Sequence, residues 1–295
     1  MKKLSVIVVA RDDNYGDDKN NGIYKLTNNL KNFISRFKFS LEKNIFYLEK
    51  FFKNNFEYIV VDWAPINNKL LINNKKLKNI LSHPSIKYLI VEPKKIKLTG
   101  LNPLGFYEYI GKNYGIRNSE GDYILITNSD DYFNNELALE IYDAVYKNDR
   151  TKYYRPYSRI DVDLNQSFVN EGLTFNDNSI FGKIGTAAAG DFILSHRKNI
   201  IDIGQGFNEN VQIFQSAKFR QTALDGALLI NMYINNIRPV CLKSSIYSFE
   251  HNKFERYKFF ERYQTYKNKK NWGWLNQNKI LYYYASLYRF FTKLF

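Results

Sequence analysis

One cysteine, three histidines and two methionines among 295 residues leave the chain little sulfur or imidazole. Cys241 alone closes no internal disulfide and builds no cysteine-based metal cluster, so a reducing compartment is expected. Its neighbours Pro239, Val240 and Leu242 read as a buried strand, with Cys241 as a small core residue. A long hydrophobic run is also missing. Met1-Lys2-Lys3 is followed only by Leu4 to Ala10 before Arg11-Asp12-Asp13 intervenes, too short a run for a signal peptide or a spanning helix. A cytoplasmic protein is expected, at most peripheral to a membrane. Acidic residues are the minority, 29 against 43 Lys and Arg, for a net charge of +14. Such an excess invites a polyanion, a membrane surface or an anionic small molecule. The basic residues are nevertheless spread out, with only short runs such as Lys94-Lys95 and Lys267 to Lys270, so the argument for nucleic acid is weak.

The chain is long enough for one large α/β domain or two small ones. Aromatic residues make up 17% of it, and the heavy use of Lys, Asn, Ile, Tyr and Phe reads as the signature of an AT-rich coding sequence. Leu4 to Ala10 is a continuous β-branched run of the kind covered on both faces of a sheet. Leu30, Ile34, Phe37, Leu41, Ile45, Leu48 and Phe52 alternate steps of three and four, which predicts one amphipathic helix or a pair. Glu57 to Trp63 and Ile86 to Val91 predict two further strands, Glu136 to Tyr146 a helix, and Tyr153 to Asp163 a single strand. Asn165 to Gly182 has few apolar anchors and predicts a surface loop.

The most informative stretch is Tyr109 to Phe133, YIGKNYGIRNSEGDYILITNSDDYF. It predicts a short helix (Tyr109 to Ser119), a Glu120-Gly121 turn, an apolar strand (Tyr123 to Thr127) and the polar cluster Asn128-Ser129-Asp130-Asp131. Carboxylates just past a buried strand suit Mg²⁺ or Mn²⁺, which take oxygen ligands and bridge to a diphosphate. Two Asp in that place also serve as a helix cap and solvated turn.

The run before the cluster resembles the glycosyltransferases of the GT-A fold, in the family 2-like group, where N-x-G-I-x-x-A-x-G-[DE]-[YF]-[IV] leads into a D-x-D-type motif. Asn113-Tyr114-Gly115-Ile116, Gly121-Asp122-Tyr123-Ile124 and Asn128-Ser129-Asp130 follow that pattern. The first acidic position is Asn128, a weaker metal ligand, so the resemblance implies Asp130 as the metal residue, with Asp131 second. It also implies that Ala10 and Arg11 meet the nucleotide and that Asp62 contacts a uracil or guanine base. Lys112 and Asn113 would lie beside the diphosphate, with Asn128 and Ser129 next to them. Arg11 reads equally as a surface ion pair with Asp12 or Asp13, Asp62 as a turn cap before Pro65, and Lys112 as an exposed helix lysine.

Two later segments extend the resemblance. Gly185 to Arg197 is similar to an A-x-G-D-F-x-L-x-x-R run that borders the donor sugar, which implies that Asp191 bonds sugar hydroxyls and that Arg197 makes a structural pair. Ile246-Tyr247-Ser248-Phe249-Glu250-His251 looks like the I-Y-H-x-E-H closing motif, which implies His251 as the second metal ligand through a neutral imidazole nitrogen. Asp225, at the start of the helix predicted over Thr222 to Tyr233, stands where related inverting enzymes keep the general base. Read without the resemblance, it is a first-turn carboxylate favoured by the helix dipole.

The expected fold is therefore α/β, a GT-A Rossmann-like α/β/α sandwich with a mostly parallel sheet over residues 1–251, followed by a basic, aromatic helical extension over 252–295. The implied activity is metal-dependent transfer of a sugar from a nucleotide diphosphosugar, UDP-sugar ahead of GDP-sugar, to a hydroxyl on a glycan, lipid-linked or protein acceptor, with inversion. Nucleic acid is not an expected partner, and the extension suits peripheral membrane contact. The alternatives are a degenerate, non-catalytic GT-A domain and a basic, aromatic module that binds nucleic acid or a membrane surface. A nucleotidyltransferase is disfavoured because the Arg11 to Gly16 loop lacks the Gly-rich, basic pattern those enzymes carry.

Overall fold

The computed structural model describes residues 3–11, 33–63, 70–92, 108–163, 165–171, 192–203 and 224–249. The chain divides into two units, Met1–Asn252 and Lys253–Phe295, and every described residue belongs to the first. No described helix is long and apolar enough to cross a membrane.

The apolar runs become strands as their composition dictates. β1 (Leu4–Ala10) is buried along its whole length and is an interior strand of a seven-stranded sheet. Parallel to it run β2 (Phe56–Trp63) on one side and β4 (Tyr123–Thr127) on the other, with β3 (Ile86–Val91) beyond β2. β9 (Phe192–His196) pairs antiparallel with both β4 and β6 (Lys152–Arg155), and β10 (Arg238–Cys241) closes the edge parallel to β6. Cys241 is half-buried on that edge strand rather than deep in the core.

Alternation along β1 separates two layers. Leu4, Val6, Val8 and Ala10 join the main core with Phe33, Phe37, Leu41, Ile45, Leu48 and Phe52 of α1 (Phe33–Phe52). The predicted three-and-four spacing thus forms one continuous helix. Ile7 and Val9 point the other way, toward α3 (Glu108–Arg117), which follows the one-turn helix α2 (Lys78–Leu81) in the chain. α3 comes down close because Gly111 and Gly115 are one turn apart. A Cβ at Gly111 would stand 2.6 Å from Val9 Cγ1, and one at Gly115 2.5 Å from Ile7 Cγ2. Helices on both faces of a mostly parallel sheet make the expected doubly wound α/β sandwich.

The amino-terminal edge of the sheet is pinned by polar groups. Buried Glu57 accepts from Ser5 Oγ at 2.6 Å and from Glu120 N at 2.5 Å, while Ser5 Oγ accepts from Gly121 N at 2.8 Å. Arg197 donates to Ser119 O and Oγ, a structural role met by hydroxyl and carbonyl rather than by an ion pair. α4 (Asn135–Lys147) starts on Asn134, whose side chain accepts from Leu137 N, and stops where Asn148 turns left-handed at φ 54°.

A second, four-stranded sheet has the order β5 (Asp131–Tyr132), β11 (Ile246–Phe249), β7 (Arg159–Val162), β8 (Phe168–Glu171). It corrects two expectations. Residues 153–163 are not one strand: Pro156, with no N–H to donate, ends β6, and the chain restarts as β7 in the other sheet. Part of the loop predicted from Asn165 is β8, whose Phe-Val-Asn-Glu sequence carries too little apolar pattern to announce a strand. Phe39 of α1 covers the small sheet, packing edge-on to Tyr132 and Phe249 with centroids at 5.1 and 5.4 Å.

Candidate functional site

Strand order locates the site. From β1 the chain moves outward through β2 and β3, then returns to add β4 on the opposite side of β1, so the direction of winding reverses between β1 and β4. The crevice beyond the carboxyl ends of these strands is where open α/β sheets bind ligands. Ala10 and Arg11 sit at that end of β1, Asp62 at that end of β2, and Asn128 to Asp131 directly after β4. Arg11 is buried there rather than displayed on the surface.

The turn after β4 sorts its acidic residues by geometry. Asp131 is fully buried, and its Oδ2 accepts from Thr127 Oγ1 and from Asn128 N, both at 3.3 Å, which closes the turn on itself. Asp130 and Ser129 lie one and two residues before it, 8% and 6% exposed. β5, which begins at Asp131, pairs antiparallel with β11, Ser248 facing Asp131 and Tyr247 facing Tyr132. At the end of β11, Phe249 N approaches Asp130 O to 3.5 Å.

α3 supplies a cation to the same edge. Lys112 is only 1% exposed. Its Nζ lies 2.6 Å from Glu108 Oε1 one turn earlier and 3.2 Å from Asn128 Oδ1 across the crevice. The Glu-to-Lys order at i, i+4 is the favourable one on a helix. Asn113, next along, is also buried. The expectation of an exposed helix lysine therefore fails, because the Gly111 and Gly115 contacts press this helix against β1.

Asp62 is completely buried, and its Oδ2 accepts from Leu71 N at 2.7 Å and from the Tyr88 hydroxyl. Burial, and after it the Asp62 contact, push the Tyr88 phenol well above its ordinary value, so at neutral pH it stays a donor to the carboxylate. Asp62 is thus held by Leu71, from the segment that follows β2, and by Tyr88 of β3. Of the remaining sequence-predicted residues, Asp191 and His251 lie outside the described residues. The backbone of Asp225 belongs to the first turn of α5 (Leu224–Ile234). Among the described residues, no group of three or more His, Cys, Asp or Glu side chains gathers to hold a metal ion.

Comparison with solved structures assigns the architecture. A structure of S. aureus TarS superposes with a TM-score of 0.50 at 20% identity, covering 84% of this chain and 37% of TarS. The chain has the GT-A fold. The TarS fragment 1–349 matches with a TM-score of 0.48 at 19% identity over 84% of this chain and 60% of the fragment. Its complex with UDP-GlcNAc matches at 0.49 and 17% identity over 87% and 62%. This chain spans less than two-thirds of the length of each of these structures. No protein-family model and no curated protein matches the sequence.

Several residues around this GT-A crevice escaped the sequence reading. Glu108, partner of Lys112, was visible in the i, i+4 spacing. Arg155 ends β6 with 1% exposure and donates to the carbonyl of Phe192, the residue after Asp191. Nothing in its local sequence, KYYRP, separates it from a surface arginine. Asn44 and Tyr58 form a buried polar pair behind the turn after β4. Asn44 was legible in principle, since the heptad-like spacing puts it on the apolar stripe of α1.

Proposed function

We propose that this chain is a metal-dependent glycosyltransferase that moves a sugar from a nucleotide diphosphosugar, a UDP-sugar first, to a hydroxyl of a glycan, lipid-linked or protein acceptor, with inversion. The observation that carries the proposal is the meeting of β11 with the turn after β4. Phe249, 3.5 Å from Asp130 O through its N–H, stands two residues before His251, and two residues of chain span at most about 7 Å. The described part of the strand that leads toward His251 in sequence thus ends against the backbone of Asp130, which supports reading the two as a pair.

The donors fit a small divalent cation: a carboxylate from Asp130 and a neutral imidazole from His251. When bound, Mn²⁺ or Mg²⁺ supplies charge stabilisation for the departing diphosphate. Asn128 is not part of that pair, because its Oδ1 is turned to Lys112 Nζ. Lys112, held between Glu108 and Asn128, is assigned to the diphosphate oxygens. Asp62 is assigned the base, Ala10, Arg11, Asn113 and Ser129 the nucleotide, and Asp191 the sugar hydroxyls. Asp225 takes the acceptor proton as the acceptor oxygen bonds the anomeric carbon. The bond to the diphosphate breaks on the opposite face, and its electron pair leaves with the diphosphate.

A thermal-shift panel of UDP, GDP, CDP and their sugars, with and without MnCl₂, tests the proposal. Stabilisation by UDP that increases when Mn²⁺ is added is the expected outcome. Stabilisation by nucleic acid or anionic vesicles that collapses with salt and ignores Mn²⁺ would instead make the chain a charge-driven binding module. Lys112→Met is expected to weaken UDP binding measured in EDTA by about tenfold, roughly 1.4 kcal/mol, as read by calorimetry. An unchanged affinity would remove Lys112 from the diphosphate site.

The hold of Lys112 on Asn128 favours one other reading, a GT-A domain that binds nucleotide without turnover. It predicts UDP binding in the same panel but no UDP release from UDP-sugars when Mn²⁺ and a mixed panel of glycan acceptors are supplied.

A further inference from the structure

We infer that Asn44, on the opposite side of α1 from solvent, is a positioning residue for the Asp130 carboxylate. The inference deepens the proposed metal site and rests on that reading.

Asn44 is completely buried among Leu41, Ile45 and Leu48 on the core stripe of α1. A polar amide there is costly unless its groups are bonded, and this one is bonded at both ends. Its Nδ2 donates to Asp131 O at 3.0 Å and to Tyr58 Oη at 3.1 Å, and its Oδ1 accepts from Phe133 N at 2.8 Å. The carbonyl of Asp131 and the amide of Phe133 flank Tyr132, so the side chain addresses the backbone in the manner of a neighbouring strand.

That matters because β5 is two residues long and has β11 as its strand partner. A strand so short has few ladder bonds to fix it. Asn44 supplies bonds from α1, and the Asp131 carboxylate closes the turn from inside through Thr127 and Asn128. Asp130 is the residue between those two restraints. Tyr58, on β2, ties the same amide to the main sheet. Asn44 therefore sets where the Asp130 carboxylate stands relative to β1 and β2, without touching metal or nucleotide itself.

The test compares Asn44→Leu with Tyr58→Phe, which removes one partner of Asn44 but leaves both bonds to the turn. Calorimetry measures Mn²⁺ binding in saturating UDP, and UDP binding in EDTA. Asn44→Leu is expected to weaken Mn²⁺ by about tenfold or more, as loss of an outer support of a metal ligand does, with UDP affinity in EDTA unchanged. Tyr58→Phe is expected to leave both unchanged. Equal Mn²⁺ affinity in wild type and Asn44→Leu, or an equal loss in EDTA, would overturn the inference. Hydrogen exchange on the wild type gives a second reading that does not depend on the variant folding. The Phe133 amide should exchange more slowly with UDP and Mn²⁺ than with UDP alone, and an unchanged rate counts against Asn44. Wild-type protein with no metal-dependent UDP binding would instead sink the proposed function.

Discussion

Asp130→Asn is expected to lower Mn²⁺-dependent sugar transfer at least about a hundredfold, since a lost metal contribution of several kcal/mol weighs 1.36 kcal/mol per tenfold. Asn has the shape of Asp, and the Asp130 carbonyl that faces Phe249 N is untouched, so stability should change little. Neither acidic-motif neighbour is free to substitute. Asn128 Oδ1 accepts from Lys112, and Asp131, fully buried, accepts through Oδ2 from Thr127 and Asn128 N. UDP release followed across a MnCl₂ titration measures the effect. A variant that keeps both its rate and its metal dependence would place the cation elsewhere in the molecule.

The largest stability effect belongs to Gly121→Ala. A Cβ at Gly121 would lie 2.5 Å from Ser5 N, 2.6 Å from Ser5 Oγ and 2.7 Å from Leu4 C. Two of these atoms are backbone of β1, an interior strand of the sheet, and no side-chain rotation relieves them. The Glu120-Gly121 turn has to open, which removes the Gly121 N–H from Ser5 Oγ and the Glu120 N–H from Glu57. Overpacking costs typically about 1 to 3 kcal/mol, and the added loss of buried hydrogen bonds puts the expected destabilisation at about 3 kcal/mol or more. Urea unfolding measures it as a lower midpoint at unchanged slope. Gly111→Ala and Gly115→Ala meet side-chain atoms, chiefly of Val9 and Ile7, rather than backbone, and should cost less. A Gly121→Ala variant as stable as either would show that the turn yields more easily than this contact implies.

Much of this architecture could be read along the chain because the relevant signals are local. β1, β3 and β4 are apolar runs whose ends match the expected bounds, and α1 follows from spacing alone. Signals failed where structure depends on a distant partner. Residues 153–163 keep a strand-like composition across Pro156, yet the two pieces join different sheets, a choice made by β9, β10 and β11. β8 has no apolar alternation of its own and is a strand because β7 accepts it. At the site, the motif run picked out Lys112, Asn113 and Asp130 by position. It gave no means of knowing that Lys112 is buried, since burial follows from how closely two glycines let α3 approach β1. The resemblance ranks Asp130 ahead of Asp131, but nothing along the chain signals that the turn bonds Asp131 Oδ2 to Thr127 and Asn128.

The pairing of β11 with β5 has a kinetic corollary. Ile246–Phe249 is the last described strand, and it completes the wall beside Asp130 only after nearly all of the first unit has left the ribosome. Contacts that join such distant stretches form slowly, because the loop they close costs entropy before any contact repays it. A chain terminated before β11 would thus carry β1 to β4 without the strand that lies beside Asp130, and the proposed activity should emerge during refolding later than pairing of those strands.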